Sequence, residues 1–171
     1  MKILILYATH GGVTRTCAEI LTKRLMSHHT VQTMDIHDNP PSPASYDAVV
    51  LGSCIRMGKI NKAIKRYIKT YMNQLSSIST GVFFCCGYPR QFDEYVETQL
   101  PKKLICSLGI HCFGGELKPE KLSGLDKLVV RIARSSINSQ DFEESDADHH
   151  ALPEILPENI ALLAEKIEKL R

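Results

Sequence analysis

Thr9, Gly11, Gly12 and Thr14 fall within six consecutive positions, directly after the apolar run Lys2-Ile3-Leu4-Ile5-Leu6-Tyr7 and at the start of a helical pattern. Two hydroxyls and two glycines at a strand-to-helix turn can hold an anion. A helix start leaves backbone N–H groups unpaired and carries about half a positive charge. Gly11 and Gly12 let the backbone curl round a phosphate, while Thr9 and Thr14 add hydroxyl donors. Glycine also occurs at such turns for steric reasons alone, so this loop by itself leaves a plain connection as the alternative. The turn lacks the Gly-Lys-Ser/Thr ending of a Walker loop and the Gly-x-Gly-x-x-Gly of a dinucleotide site. Neutral hydroxyl donors suit a phosphate monoester that is already dianionic. That points to a mononucleotide such as FMN rather than to ATP.

Positioning such a loop takes a strand on one side and a helix on the other. The apolar pattern reads as a strand over about residues 2 to 7, a helix over 14 to 28 and a short strand over 31 to 36. Asn39-Pro40-Pro41-Ser42-Pro43 is a rigid loop. A third strand, 46 to 53, is apolar enough to be central. A helix follows over 60 to 75, with Ile60, Ile64, Tyr67, Ile68, Tyr71 and Leu75 on one face. The fourth strand is 80 to 86, then a helical segment over 93 to 108 that Pro101 breaks or kinks. A fifth strand over 110 to 117, a helix over 124 to 137, an acidic loop and a helix starting near Pro157 complete the pattern. Alternating strands and helices predict an α/β fold, a parallel sheet covered on both faces.

Ligands of such sheets bind beyond the carboxyl ends of the strands, near the switch in strand order. Besides the first loop, two exits matter. The third strand leads into Ser53-Cys54-Ile55-Arg56-Met57-Gly58, and the fourth into Cys86-Gly87-Tyr88-Pro89-Arg90. Each contains glycine and no acid, so backbone can approach a flat ring. Taken singly, each is a plain turn; all three at one edge favour a flavin.

At 171 residues the chain reads as a single domain with a substantial core. Its 43% hydrophobic and 23% charged residues are ordinary for a globular protein. The apolar start is too short for a secretory signal, and no run approaches a membrane-spanning length. A cytoplasmic protein with six free thiols, Cys17, Cys54, Cys85, Cys86, Cys106 and Cys112, is therefore expected. No Cys-x-x-Cys pair exists, and His28-His29 and His149-His150 lack partners at metal spacing, so no metal site is expected.

The order Tyr-Ala-Thr-x-Gly-Gly-x-Thr, followed by Val-Val-Leu-Gly-Ser-x-Ile-Arg-x-Gly, resembles the flavodoxin family. It is most similar to the flavodoxin-type, menaquinone-dependent protoporphyrinogen oxidases. The phosphate loop is common to flavodoxins, and Ser-x-Ile-Arg-x-Gly is the more specific stretch. The resemblance implies a flavodoxin-like three-layer sandwich with five parallel strands in the order 2-1-3-4-5, and FMN as cofactor. It implies that Thr9, His10, Gly11, Gly12, Val13 and Thr14 hold the phosphate. It also implies that Ser53, Cys54, Ile55, Arg56, Met57 and Gly58 line the isoalloxazine, with Cys86, Gly87, Tyr88, Pro89 and Arg90 on its other side. Two departures stand out. The oxidases carry a long basic insertion after the fourth strand, where this chain has a short span. An aromatic is expected near position 57, where Met57 stands; Tyr88 is the candidate to supply the stack.

Charge separates the functional readings. Electron-carrier flavodoxins are typically acidic, whereas this chain is +2 with a sequence pI near 8.2. No acid occurs between Asp47 and Asp93, an interval holding Arg56, Lys59, Lys62, Lys65, Arg66, Lys69 and Arg90. Lys127, Arg131 and Arg134 form a second basic helix. Such a surface attracts an anionic small-molecule substrate, or an anionic membrane at which quinone resides, giving a peripheral contact at its inner face. Without interleaved aromatics, nucleic acid is not the expected partner. Nothing in the pattern sets an oligomeric state. The expected chemistry is redox at FMN, with a reduced organic substrate such as a porphyrinogen as donor and a quinone or redox protein as acceptor. The flavin does the hard chemistry and the protein tunes it. Arg56 is the candidate catalytic residue, through flavin tuning or a substrate anion, and Cys54 is read as a packed, inert thiol, with a redox thiol at the site as the alternative. The alternatives are an electron-transfer flavodoxin acting as a carrier and a flavin-free interaction module.

Overall fold

The computed structural model describes residues 1–87, 89–115 and 154–170. Five strands form one parallel sheet: β1 (Lys2–Ala8), β2 (Thr30–Asp35), β3 (Ala48–Cys54), β4 (Ser79–Cys85) and β5 (Gly109–Cys112). Their spatial order is β2-β1-β3-β4-β5, as the flavodoxin resemblance implies. The helices are α1 (Val13–Leu25), α2 (Lys62–Thr70), α3 (Met72–Ser77), α4 (Phe92–Gln99) and α5 (Pro157–Glu168).

The period-2 alternation of β1 sorts the interior into two cores. Ile3, Ile5 and Tyr7 face α1 and α5, packing with Cys17, Leu21, Leu25, Val50, Phe83, Ile160 and Leu163. Leu4, Leu6 and Ala8 face the other layer, with Val49, Leu51, Ile64, Tyr67, Ile68, Leu75 and Phe84. Residues 3 to 8 are buried on both faces, which explains why the run reads as continuously apolar. Burying each such Ile, Leu or Phe is worth about 1.5–3 kcal/mol.

Three expected boundaries shift. The helix expected over 60 to 75 breaks at Tyr71, whose φ of −111° leaves the helical region. Thr70 and Tyr71 are both weak helix formers, and α3 resumes with Leu75 still on the same core. The helix expected over 93 to 108 stops at Gln99. Pro101 forces Leu100 into extended backbone with ψ 141°, and no helix follows before β5. The fifth strand ends at Cys112, because the chain turns at Gly114 (φ 72°) to bridge Ile155. The expected helix over 124 to 137 and the acidic loop lie outside the described residues.

One close approach fixes the middle of the sheet. A Cβ on Gly52 would lie 2.1 Å from Phe83 Cζ, so the Phe83 ring lies directly across the bare backbone of β3. Phe83 in turn stacks on Phe113, with centroids 4.3 Å apart and planes 16° from parallel. Gly52→Ala is therefore expected to cost about 2 kcal/mol or more through overpacking. Urea unfolding measures this, and a midpoint equal to wild type would show that the ring can move aside.

Candidate functional site

Three loops leave the carboxyl edge of the sheet at β1, β3 and β4, flanking the point where strand order reverses between β1 and β3. The first runs from Thr9 to Gly12. Gly12 has φ 90° and caps α1 without any side-chain hydrogen bond, and the first turn of α1 holds no acid. The Gly12 N–H donates to Thr9 Oγ1 at 2.9 Å, so the Thr9 hydroxyl hydrogen is free to point elsewhere. Cβ atoms placed on Gly11 or Gly12 would meet nothing within 4 Å, so space lies open beside both.

Thr14, in the first turn of α1, is 1% exposed. Its Oγ1 is buried without a hydrogen-bond partner. The nearby Cys85 thiol is raised well above its usual range by Cys17 and by burial, and Thr14, short of hydrogen-bond geometry, opposes that rise only in part. A buried hydroxyl left unsatisfied costs about 1–3 kcal/mol. The start of α1, capped by no side chain, independently favours an anion through its unpaired N–H groups and its dipole.

The second loop is a rigid hairpin. Ser53 is fully buried; its Oγ accepts the Asn61 N–H at 3.0 Å and donates to the Cys54 carbonyl. Asn61 in turn caps α2, accepting the Ala63 N–H at 2.7 Å. Between these anchors Arg56 and Lys59 exchange both backbone hydrogen bonds, at 2.9 and 3.0 Å. The two tip residues, Met57 (φ 51°) and Gly58 (φ 70°), are both left-handed, as a type I′ turn requires. Met57 is 73% exposed at the tip. The hairpin is tied to the first loop, since Arg56 Nη1 lies 2.8 Å from His10 Nε2. The Cys54 thiol is pushed up by burial, opposed by a backbone hydrogen bond from His10, and is thus not an activated nucleophile.

The third loop starts at Cys86, whose N–H donates to the Gly114 carbonyl at 3.0 Å. Gly87 is half-buried, and Arg90 is exposed within a short 3₁₀ turn, Pro89–Gln91. Tyr88 lies outside the described residues. An aromatic absent from the expected set stands here instead: Tyr95 of α4, 9% exposed, with Cε1 4.0 Å from where a Gly58 Cβ would be. Its hydroxyl donates to Gln91 Oε1. The i, i+4 spacing of Gln91 and Tyr95 allows their hydrogen bond, but nothing in the sequence places the ring beside Gly58.

All six cysteines are free thiols. Cys86 and Cys112 face each other with Sγ atoms 3.5 Å apart. The hydrogen bond from Cys86, helped by one from Gly114 and opposed by burial, brings the Cys112 thiol down to about 7. Among the described residues no three His, Cys, Asp or Glu side chains are grouped to hold a metal. Likewise no helix among them is long and apolar enough to cross a membrane.

A family model described as a flavodoxin domain matches residues 4–144. The chain belongs to the flavodoxin domain family. Two relatives named protoporphyrinogen IX dehydrogenase [quinone] are similar to it. The one from Leishmania major is 31% identical over 100 residues, covering 57% of this chain and 43% of that protein. The one from Escherichia coli K12 is 31% identical over 85 residues, covering 48% and 47%. The chain thus spans about half the length of the curated relatives it matches. Solved structures share the fold. A flavodoxin from the domain Archaea has a TM-score of 0.50 at 16% identity, covering 79% of this chain and 98% of its own. An NADH:FMN oxidoreductase has a TM-score of 0.53 at 10% identity, covering 86% and 94%.

The thiol pair of this flavodoxin domain has a measurable consequence. Alkylation of Cys112 by iodoacetamide is expected to rise to its plateau through pH 7, because the thiolate is the nucleophile and is protonated below that value. Cys86→Ala removes the hydrogen bond and should move the midpoint up towards the ordinary thiol range. Peptide mass mapping across pH measures both, and a wild-type midpoint near 9 would contradict the assignment.

Proposed function

We propose that this chain is an FMN-binding oxidoreductase of the protoporphyrinogen-dehydrogenase type, oxidising a porphyrinogen or similar reduced substrate with a quinone as acceptor. The observation that carries the cofactor reading is the buried, partnerless Thr14 Oγ1 at an uncapped helix start beside two open glycines. The residues present fit a phosphate monoester. Thr14 and Thr9 would donate their hydroxyls, and the first backbone N–H groups of α1 would complete the cradle. FMN, when bound, supplies the two-electron chemistry.

The chain's own residues have separate tasks in this reading. Thr9, held by the Gly12 N–H, keeps its proton aimed away from the backbone. The Arg56–Lys59 hairpin presents backbone at fixed φ and ψ and so offers a preformed wall for a flat ring. Arg56 places a cation between that wall and His10, where it favours negative charge on a ring or on a substrate carboxylate. Met57 contributes a polarisable thioether where the resemblance implies an aromatic. The oxidoreductase type rests on the similarity to the two quinone-dependent dehydrogenases and on the Ser53-to-Gly58 stretch.

A second reading, an electron carrier, is favoured by one feature. Only Cys86 to Gln91 separate β4 from α4, so the basic insertion implied by the resemblance to the oxidases is lacking at that exit. Turnover separates the two readings.

Titration of flavin-free protein with FMN, followed by fluorescence quenching, should show stoichiometric binding. Thr14→Val should weaken FMN binding about 10-fold or more, the worth of one hydrogen bond to a charged group. The same variant should leave the flavin-free fold as stable or slightly more so, because it removes an unsatisfied buried hydroxyl. Equal FMN affinity in the two proteins would remove Thr14 from the cradle. Arg56→Ala should lower turnover with protoporphyrinogen and menaquinone about 10-fold while changing FMN affinity less than about 3-fold. Wild-type protein that binds FMN but turns over neither compound would favour the carrier.

A further inference from the structure

The exposed face of α2 has no task in the site just described. Lys62, Lys65, Arg66 and Lys69 are all exposed and follow the spacing i, i+3, i+4, i+7, so they form one stripe. The opposite side, Ile64, Tyr67 and Ile68, is buried on the sheet. Four like-charge pairs at i, i+3 and i, i+4 lie within this stripe, and each weakens the helix. Lys62 also stands at the first helical position, where the dipole disfavours a cation. Among the described residues none of the four is in an ion pair; the two pairs present are Arg15 with Glu19 and His37 with Asp35. Among the described residues nothing compensates this repulsion, and the helix gains nothing from it internally.

We propose that the α2 stripe docks an acidic protein surface, a partner whose carboxylates match the four cations. The orientation of α2 favours a protein over a membrane. Because α2 links the end of β3 to the start of β4, it runs antiparallel to the strands, away from the edge that holds the site. The stripe spans about 10 Å along the helix. A membrane lying against the site edge would meet Lys62 but leave Lys69 about a Debye length away, at the limit of its attraction. A protein wrapping the flank engages the whole stripe, and Lys59, exposed on the hairpin, extends the contact to the site edge. The proposal does not depend on FMN binding.

The full chain is titrated against a fluorescein-labelled deca-glutamate peptide by anisotropy, and in parallel sedimented with vesicles of phosphatidylglycerol and phosphatidylcholine. The peptide should bind, with affinity falling at least about 10-fold as salt rises from about 50 to about 200 mM. Lys65→Gln with Arg66→Gln should weaken it at least about 5-fold. Lys23→Gln with Arg24→Gln on α1 makes the same change in net charge, and should weaken it less than about 2-fold. Circular dichroism confirms that both variants fold. Three outcomes overturn the proposal. One is equal loss in the two double variants, which reduces the effect to net charge. Another is vesicle binding that depends on Lys65 and Arg66 without peptide binding. The third is peptide binding that tightens about 10-fold when the acidic residues from Asp141 to Asp148 are changed to amides, which gives the stripe to this chain's own segment.

Discussion

Everything in this domain depends on β1 and β3 lying side by side with both faces dry. A strand buried on both faces must satisfy its backbone through neighbours on both edges and must be apolar at every position. β1 meets both demands by pairing with β2 on one edge and β3 on the other, in register from Ile3 to Tyr7. The reversal of strand order follows from that placement. So does the site, because the loops leaving β1 and β3 part to opposite layers while their strand ends stay hydrogen-bonded neighbours. The His10–Arg56 contact spans that gap, and across it the His10 backbone opposes the rise of the Cys54 thiol that burial causes.

Much of this was legible in the amino-acid order, for reasons tied to particular residues. The run from Ile3 to Tyr7 cannot be a solvent-facing strand, and Gly11-Gly12 after it cannot continue one. Ser53 was legible as a site residue from its place at the exit of a central strand, and the resemblance put it against the ring. The structure gives it another task, in which it is buried and joins the end of β3 to the start of α2. The break at Tyr71 left no mark on the apolar spacing, because α3 returns Leu75 to the same core. The role of Tyr95 was hidden for the opposite reason. Its position on a short helix says nothing about which turn that helix will lie beside. Gly52 was read as part of a strand, and its need for a bare backbone comes from Phe83, a residue of the neighbouring strand.

The two faces of the sheet divide the labour. On one side α1 brings its uncapped N-terminus and the partnerless Thr14 hydroxyl. On the other, α2 is anchored through Asn61 to Ser53 and turns its cations outward. Adjacent residues at the end of β4 take part in both, since Cys85, its last residue, faces Cys17 in the first layer and Cys86, just beyond it, faces Cys112 towards the second. The chemistry of the thiols differs accordingly. Cys85 is raised well above the usual range by its hydrogen bond with Cys17 and by burial, whereas Cys112 is brought down.

The placement of α5 has a consequence for how the chain is made. Ile160, Leu163, Ala164 and Ile167 supply the last part of the core under Phe83 and Val50, and Gly81 leaves room for Leu163. A ribosome releases β1 more than a hundred residues before α5. Among the described residues, α1 alone seals that face of the sheet until then, and the strip that α5 covers stays open to other chains. The contacts that close it are long-range ones, which form slowly. Vectorial synthesis therefore leaves this domain most prone to association just before α5 emerges.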